Sequence, residues 1–172
     1  MGRGAEMSEC REKIFIQHNE SLLDAYKYLN EMGISYFSHG FKYQENDVSV
    51  FFTNEDWAQT YLNKNYLYFD PLLQNVRHKH IPLVLWDTLP LEKAEKEIMI
   101  ERYEVCKIKS GFTIGLTRPD QFEIFALGSS LKDPDFSSNL CDYKYCQQLY
   151  KLLNDFSKKH KTLYMNNLKD VE

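Results

Sequence analysis

The stretch Thr53-Asn54-Glu-Asp-Trp57-Ala-Gln-Thr-Tyr61, followed by Tyr68-Phe69-Asp70-Pro71 and then by Pro82 and Trp86, decides how this chain is read. Trp57 and Tyr61 stand four apart, so a helix places both rings on one face. Asn54 is a capping residue type just ahead of them. Asp70-Pro71 signals a second helix start, with proline at the first helical position and the aspartate at the cap. The polarity is unusual for a plain core, because two indole N–H donors, a phenol and a carboxylate each need a partner once buried. Two readings follow from the residues alone. In one, Trp57 and Tyr61 staple the core and Asp70 caps a helix. In the other, they form an aromatic box with one acid inside, suited to a small amphiphile.

Working outward, Ser21 to Asn30 has apolar residues at helical intervals and a stop at Gly33, which predicts a helix over 19–32. Ile34 to Tyr43 and Val48 to Thr53 are β-branched and aromatic, with a turn-like segment at 44–47, and predict an antiparallel pair. Past Trp86, Pro90 to Lys107 reads as a helix. Gly111 to Thr117 and Phe122 to Gly128 read as a second strand pair about an Arg118-Pro-Asp-Gln turn. The segment 139–161 places Leu140, Tyr143, Leu149, Leu152, Leu153 and Phe156 on a helical stripe, with a basic end at Lys158 to Lys161. This order predicts an α/β (α+β) fold, an α-β-α sandwich around a central antiparallel sheet of about five strands. The expected organisation is an N-terminal extension over 1–18, one domain over 19–161 and a tail over 162–172.

A chain of 172 residues is long enough to bury one substantial core. Its net charge of −4 comes from interspersed signs, so there is no broad cationic footprint for nucleic acid. Cys10, Cys106, Cys141 and Cys146 lack CxxC spacing, and no apolar run approaches the ~20 residues of a membrane span. The N-terminus lacks a secretory h-region, which predicts a cytoplasmic protein with reduced thiols. His78-Lys-His80 has no matched cysteine or carboxylate and argues for a solvated loop rather than a metal site. Cys106 could act as a nucleophile only in a basic microenvironment that the sequence does not reveal.

The spaced set Trp57, Tyr61, Asp70, Pro71 and Trp86, together with Ile108-Lys-Ser-Gly111-Phe-Thr113-Ile-Gly115 and Phe125-Ala126-Leu-Gly128-Ser129, resembles the autoinducer-binding domain of LuxR-type quorum-sensing regulators, over about residues 20 to 160. The resemblance implies the same layered architecture, no catalysis, no cofactor, and a ligand that is an N-acyl homoserine lactone or a similar acylated amphiphile. An indole N–H can only donate and an ionised carboxylate can only accept. By resemblance, Trp57 donates to the lactone carbonyl, Asp70 accepts from the amide N–H, and Tyr61 and Trp86 wall the head group. The acyl tail is expected among Phe37, Phe51, Leu72, Leu73, Ile100, Tyr103, Ile108 and Ile124, which lie beside the matched motifs.

Two positions depart from the family. Thr53 stands where a tyrosine often reaches the acyl carbonyl. Ala126 stands where a serine or threonine often reads the acyl chain, with Thr113 and Ser129 as the nearest substitutes. The family's helix-turn-helix module does not appear within these 172 residues. The sequence is then either a sensor domain cut from a longer protein or a one-domain form. Dimerisation is the expected partnership, with a second copy or, for the one-domain form, through the 139–161 helix with a full-length relative that it would antagonise. A ligand-independent interaction partner and a small acyl-directed hydrolase are the competing classes.

Overall fold

A computed structural model describes residues 13–44, 47–118, 121–132 and 135–169. The inner residues of both expected turns, the first twelve residues with Cys10, and the last three lie outside this set. Six strands form one sheet in the order β1-β3-β2-β6-β5-β4. They are β1 (Lys13–Ile16), β2 (Tyr36–Gln44), β3 (Asp47–Phe52), β4 (Leu83–Leu85), β5 (Ser110–Arg118) and β6 (Gln121–Ser129). The helices are α1 (Glu20–Glu31), α2 (Glu55–Asn63), α3 (Pro71–Arg77), α4 (Lys93–Cys106) and α5 (Tyr143–Lys169). The sandwich is as expected, with a larger and mixed sheet. β1 pairs parallel with β3, whereas all other pairings are antiparallel. Thus part of the expected N-terminal extension is an edge strand, and α5 continues through the expected tail to Lys169.

Strand alternation sends side chains to two separate cores. One holds Phe37, Phe51, Phe112, Phe125 and Leu127 under α1 and α5, with Leu22, Leu29, Leu149, Leu153 and Phe156 supplied by the helices. The other holds Tyr36, Val48, Val50, Phe52, Phe122 and Ala126 under α2, α3 and α4. Two glycines let that second helical layer lie close to the sheet. A Cβ on Gly115 would stand 2.1 Å from Val76 of α3, and one on Gly111 would stand 2.4 Å from the Trp86 ring. Neither contact leaves room for a side chain.

The α5 face also buries polar groups, each with a partner. Ser49 Oγ lies 3.0 Å from His160 Nε2, the two imidazoles meet Nδ1 to Nδ1 at 2.8 Å, and His39 Nε2 lies 2.8 Å from Glu123. With both rings neutral, each hydrogen bond can run in one direction: the Ser49 hydroxyl donates to His160, His160 to His39, and His39 to the Glu123 carboxylate. Burial, and secondarily the neighbouring His39, pushes His160 down to about 2. His39 is also lowered, because burial outweighs its bond to Glu123. Burial alone would raise Glu123, yet hydrogen bonds from His39, Lys161 and Ser157 bring it to about 2. The chain of bonds fastens α5 to β2, β3 and β6 through polar contacts as well as apolar ones.

Candidate functional site

The α2–α4 face of the sheet contains a small cavity of about 40 Å³. Its floor is Ser38, Gly40, Val48, Val50, Phe52, Phe122, Ile124 and Ala126 from the strands, and its roof is Tyr61, Leu67, Asp70, Leu72, Leu73 and Arg102. Local sequence sets that roof. The Asn54 side chain accepts from Trp57 N at 2.8 Å and starts α2, which carries Tyr61 one turn beyond Trp57. Asp70 accepts from Leu72 N at 3.0 Å and caps α3, with Pro71 at its first position. Glu101 of α4 accepts from Lys64 at 2.6 Å and from the Tyr66 hydroxyl at 2.5 Å, tying α4 to the end of α2.

Asp70 is both a cap and part of a buried polar cluster. Besides Leu72 N, it accepts from the Tyr61 hydroxyl at 2.9 Å and from Arg102 Nη2 at 2.6 Å. Arg102 is 2% exposed and pairs with the carboxylate of Asp70, itself a buried residue at 5% exposure. Burial alone would lower the guanidinium's pKa, but the charge and hydrogen bond of Asp70, together with the neighbouring Tyr36 and Tyr61, outweigh it and keep Arg102 protonated. Burial and the adjacent Asp70 charge raise Tyr61, so its hydroxyl stays a donor. The guanidinium carbon lies 5.1 Å from the Trp57 ring centre and 5.7 Å from that of Trp86, within cation–π reach of both. Trp57 and Asp70 are thus joined through a cation between them.

The indoles differ in their hydrogen bonding. Trp86 Nε1 donates to Thr113 Oγ1 at 2.8 Å. Trp57 is fully buried with no acceptor for its Nε1, and Arg102 Nε also lacks one. These are the two buried side-chain polar atoms left without a hydrogen bond among the described residues, and both are donors. The remaining guanidinium contact is weak, Nη1 to the Met99 thioether at 2.9 Å. The cluster therefore has a surplus of N–H groups beside an apolar chamber.

Of the expected site residues, Tyr61, Asp70, Leu72, Leu73 and Ile124 border the cavity, as does Ala126. Trp57 and Trp86 back it through Arg102. Thr113 faces this layer and orients Trp86. Tyr103 packs on Trp86 with ring centres 6.1 Å apart, and Ile108 packs against the same core. Five residues lie elsewhere. Phe37 and Phe51 belong to the opposite core, because alternation turns Val50 and Phe52 toward the cavity instead. Ile100 is exposed on α4. Two hydroxyls serve the backbone: Thr53 Oγ1 accepts from Phe37 N at 3.0 Å, and Ser129 Oγ donates to the Gly33 carbonyl at 2.9 Å. His78 and His80 are exposed after α3. Cys106 is buried, which pushes its thiol up to about 12 and keeps it protonated.

Sequence reasoning missed Arg102. Inside Glu-Ile-Met-Ile-Glu-Arg-Tyr-Glu it reads as a solvated helix charge, yet it shares the buried stripe of Ile98, Met99 and Cys106. That helical spacing was the available signal.

An α-β-α sandwich with a chamber between sheet and helices, gripped at one end by buried polar groups, defines a small-ligand-binding domain. The profile of the autoinducer binding domain family matches residues 20–153, and the chain belongs to that family, whose members bind signals and are not enzymes. A search of curated proteins finds no significant match. Among solved structures, an N-acylhomoserine lactone dependent LuxR family transcription factor, CepR2 from Burkholderia cenocepacia, is 17% identical with a TM-score of 0.59, covering 82% of this chain and 95% of that one. Escherichia coli SdiA is 18% identical with a TM-score of 0.56, covering 84% of this chain and 60% of that one. SdiA in complex with octanoyl-rac-glycerol is 15% identical with a TM-score of 0.55, covering 87% of this chain and 62% of that one. These likenesses establish the fold. The chain spans about three-fifths of the SdiA chains. No helix among the described residues is long and apolar enough to cross a membrane.

Proposed function

We propose that this chain is the sensor domain of a LuxR-type regulator and binds an acylated amphiphile, an N-acyl homoserine lactone or a close analogue, with its head at Trp57, Asp70 and Arg102 and its tail along the strand floor. One observation carries the reading: a fully buried indole N–H without an acceptor, on Trp57, whose ring packs on Arg102 in the wall of an apolar cavity. Leaving such a donor unmatched costs about 1–3 kcal/mol, and a bound carbonyl removes that cost. At about 40 Å³ the cavity is smaller than the roughly 300–1,000 Å³ of small-molecule pockets, so a ligand must push the roof side chains outward as it enters. Each tail CH₂ desolvated on Val50, Phe52, Leu72 and Phe122 adds about 0.8 kcal/mol before association costs are deducted. Likeness to a lactone-dependent factor and to a protein solved with an acylglycerol supports an acyl ligand without fixing its head.

The test is thermal melting against a panel of acyl lactones and acylglycerols of graded chain length. A cognate ligand at 100 times its Kd raises stability by about 2.7 kcal/mol. Trp57→Phe keeps the ring and removes the donor, so the variant is expected to fold and to lose roughly tenfold in affinity. An unchanged affinity would refute the Trp57 grip. Asp70→Asn is less clean, because removing one partner of a buried ion pair costs about 3–5 kcal/mol of stability on its own. A second copy of the chain, or a full-length relative, is the partner proposed for α5, where Tyr143 and Tyr150 are 74% and 72% exposed one heptad apart. Such pairing does not depend on the ligand reading and would take place in the cytoplasm.

A further inference from the structure

Resting on the proposed acyl-binding reading, we infer that Arg102 changes what the head site selects: it takes neutral heads that present carbonyl acceptors, and the amide N–H of an acyl lactone adds nothing to binding. The argument is a count of donors and acceptors. Asp70, the carboxylate in the cluster, already accepts from Leu72 N, the Tyr61 hydroxyl and Arg102 Nη2. Tyr61 and Arg102 fill Oδ2, so an incoming amide N–H would find only the second lone pair of Oδ1, crowded beside the Leu72 N–H that caps α3. On the other side of the balance, Trp57 Nε1 and Arg102 Nε are both buried and unmatched, and Arg102 Nη1 has only a thioether. What the site lacks is acceptors.

Charge separates the two acceptor classes. A ligand carboxylate would meet Arg102 favourably, but Asp70 is one hydrogen bond away, and its charge repels a second anion that must also be dehydrated. An ester or lactone carbonyl supplies lone pairs without either cost. The occupant is therefore an O-acyl or lactone-bearing amphiphile, read through its C=O groups.

Calorimetric titration of the whole chain tests this with a matched pair: an N-acyl homoserine lactone and its ester isostere, in which oxygen replaces the amide N–H, at the acyl length that melts highest in the panel. The monoacylglycerol and free fatty acid of the same length complete the set. The expected result is that ester and amide bind within about threefold of each other, and that the fatty acid binds at least about tenfold more weakly than the ester. Arg102→Lys keeps the cation but removes Nε, and should weaken both members of the pair about tenfold. Arg102→Met frees Asp70, so a preference for the amide should emerge. If that variant does not fold, the lysine variant and the wild-type pair still decide. An amide preference of about tenfold or more in the wild type, a fatty acid that binds best, or a lysine variant with unchanged affinities would each overturn the inference. If no acylated compound binds at all, the acyl-sensor reading itself fails, which is a different result from binding with the opposite selectivity.

Discussion

A methyl group added to Gly111 would lie 2.4 Å from the Trp86 ring and 2.6 Å from the Leu127 carbonyl oxygen, closer than any relaxed contact allows. The backbone opposite is fixed by the sheet, so the indole must move, and it is held by one hydrogen bond to Thr113. Gly111→Ala is therefore expected to lower stability by about 1–3 kcal/mol in urea unfolding and to shift the tryptophan emission. An unchanged emission maximum and midpoint would contradict this close packing. The contrast with Arg102 shows what is visible at the scale of single residues. Trp57, Tyr61, Asp70 and Trp86 stood out because aromatics and acids at helical spacing violate expectations for a plain core. A basic residue in a Glu- and Lys-rich helix violates nothing, and its burial depends on a partner 32 positions away.

At the scale of elements, α2 is a nine-residue helix whose start depends on the Asn54 side chain. Asn54→Ala should cost about 1 kcal/mol in a thermal melt and, because α2 carries Trp57 and Tyr61, should weaken acyl-ligand binding more than a distant cap would. Removal of the Asn19 cap of α1, on the opposite face, is the control. Helices and hairpins were legible because caps, stops and periodicity are local. β1 was not, since four residues have no stable structure apart from β3, and a parallel pairing leaves no turn signature nearby. The facing of β3 was also misread. Its run Val48-Ser-Val-Phe-Phe52 is apolar at nearly every position, so alternation did not mark which side faces the chamber, and Phe51 was expected where Val50 and Phe52 stand.

For the whole molecule, the chain from Ser49 through His160 and His39 to Glu123 makes stability depend on pH. Both imidazoles are depressed by burial and therefore neutral in the fold, while an unfolded histidine takes a proton near its ordinary 6.5. Their contribution is present above that value and is lost as pH falls below it. Glu123 adds a second loss between its ordinary 4.5 and about 2. Urea midpoints should therefore drop from about pH 7 to about pH 5, ahead of most carboxylate protonation, with a slope of up to roughly 1.4 kcal/mol per pH unit for each histidine. A flat profile over that range would show that the imidazoles are not held neutral. The same helix closes the molecule at its sheet edge. Tyr164 packs edge-on against Phe15 at 5.6 Å and donates to Asp47, and Asn167 donates to Gln17 at 3.2 Å. The two ends of the described residues are thus neighbours, so a short linker could join them and new termini could be cut in a surface connection, giving a circularly permuted sensor that keeps its chamber.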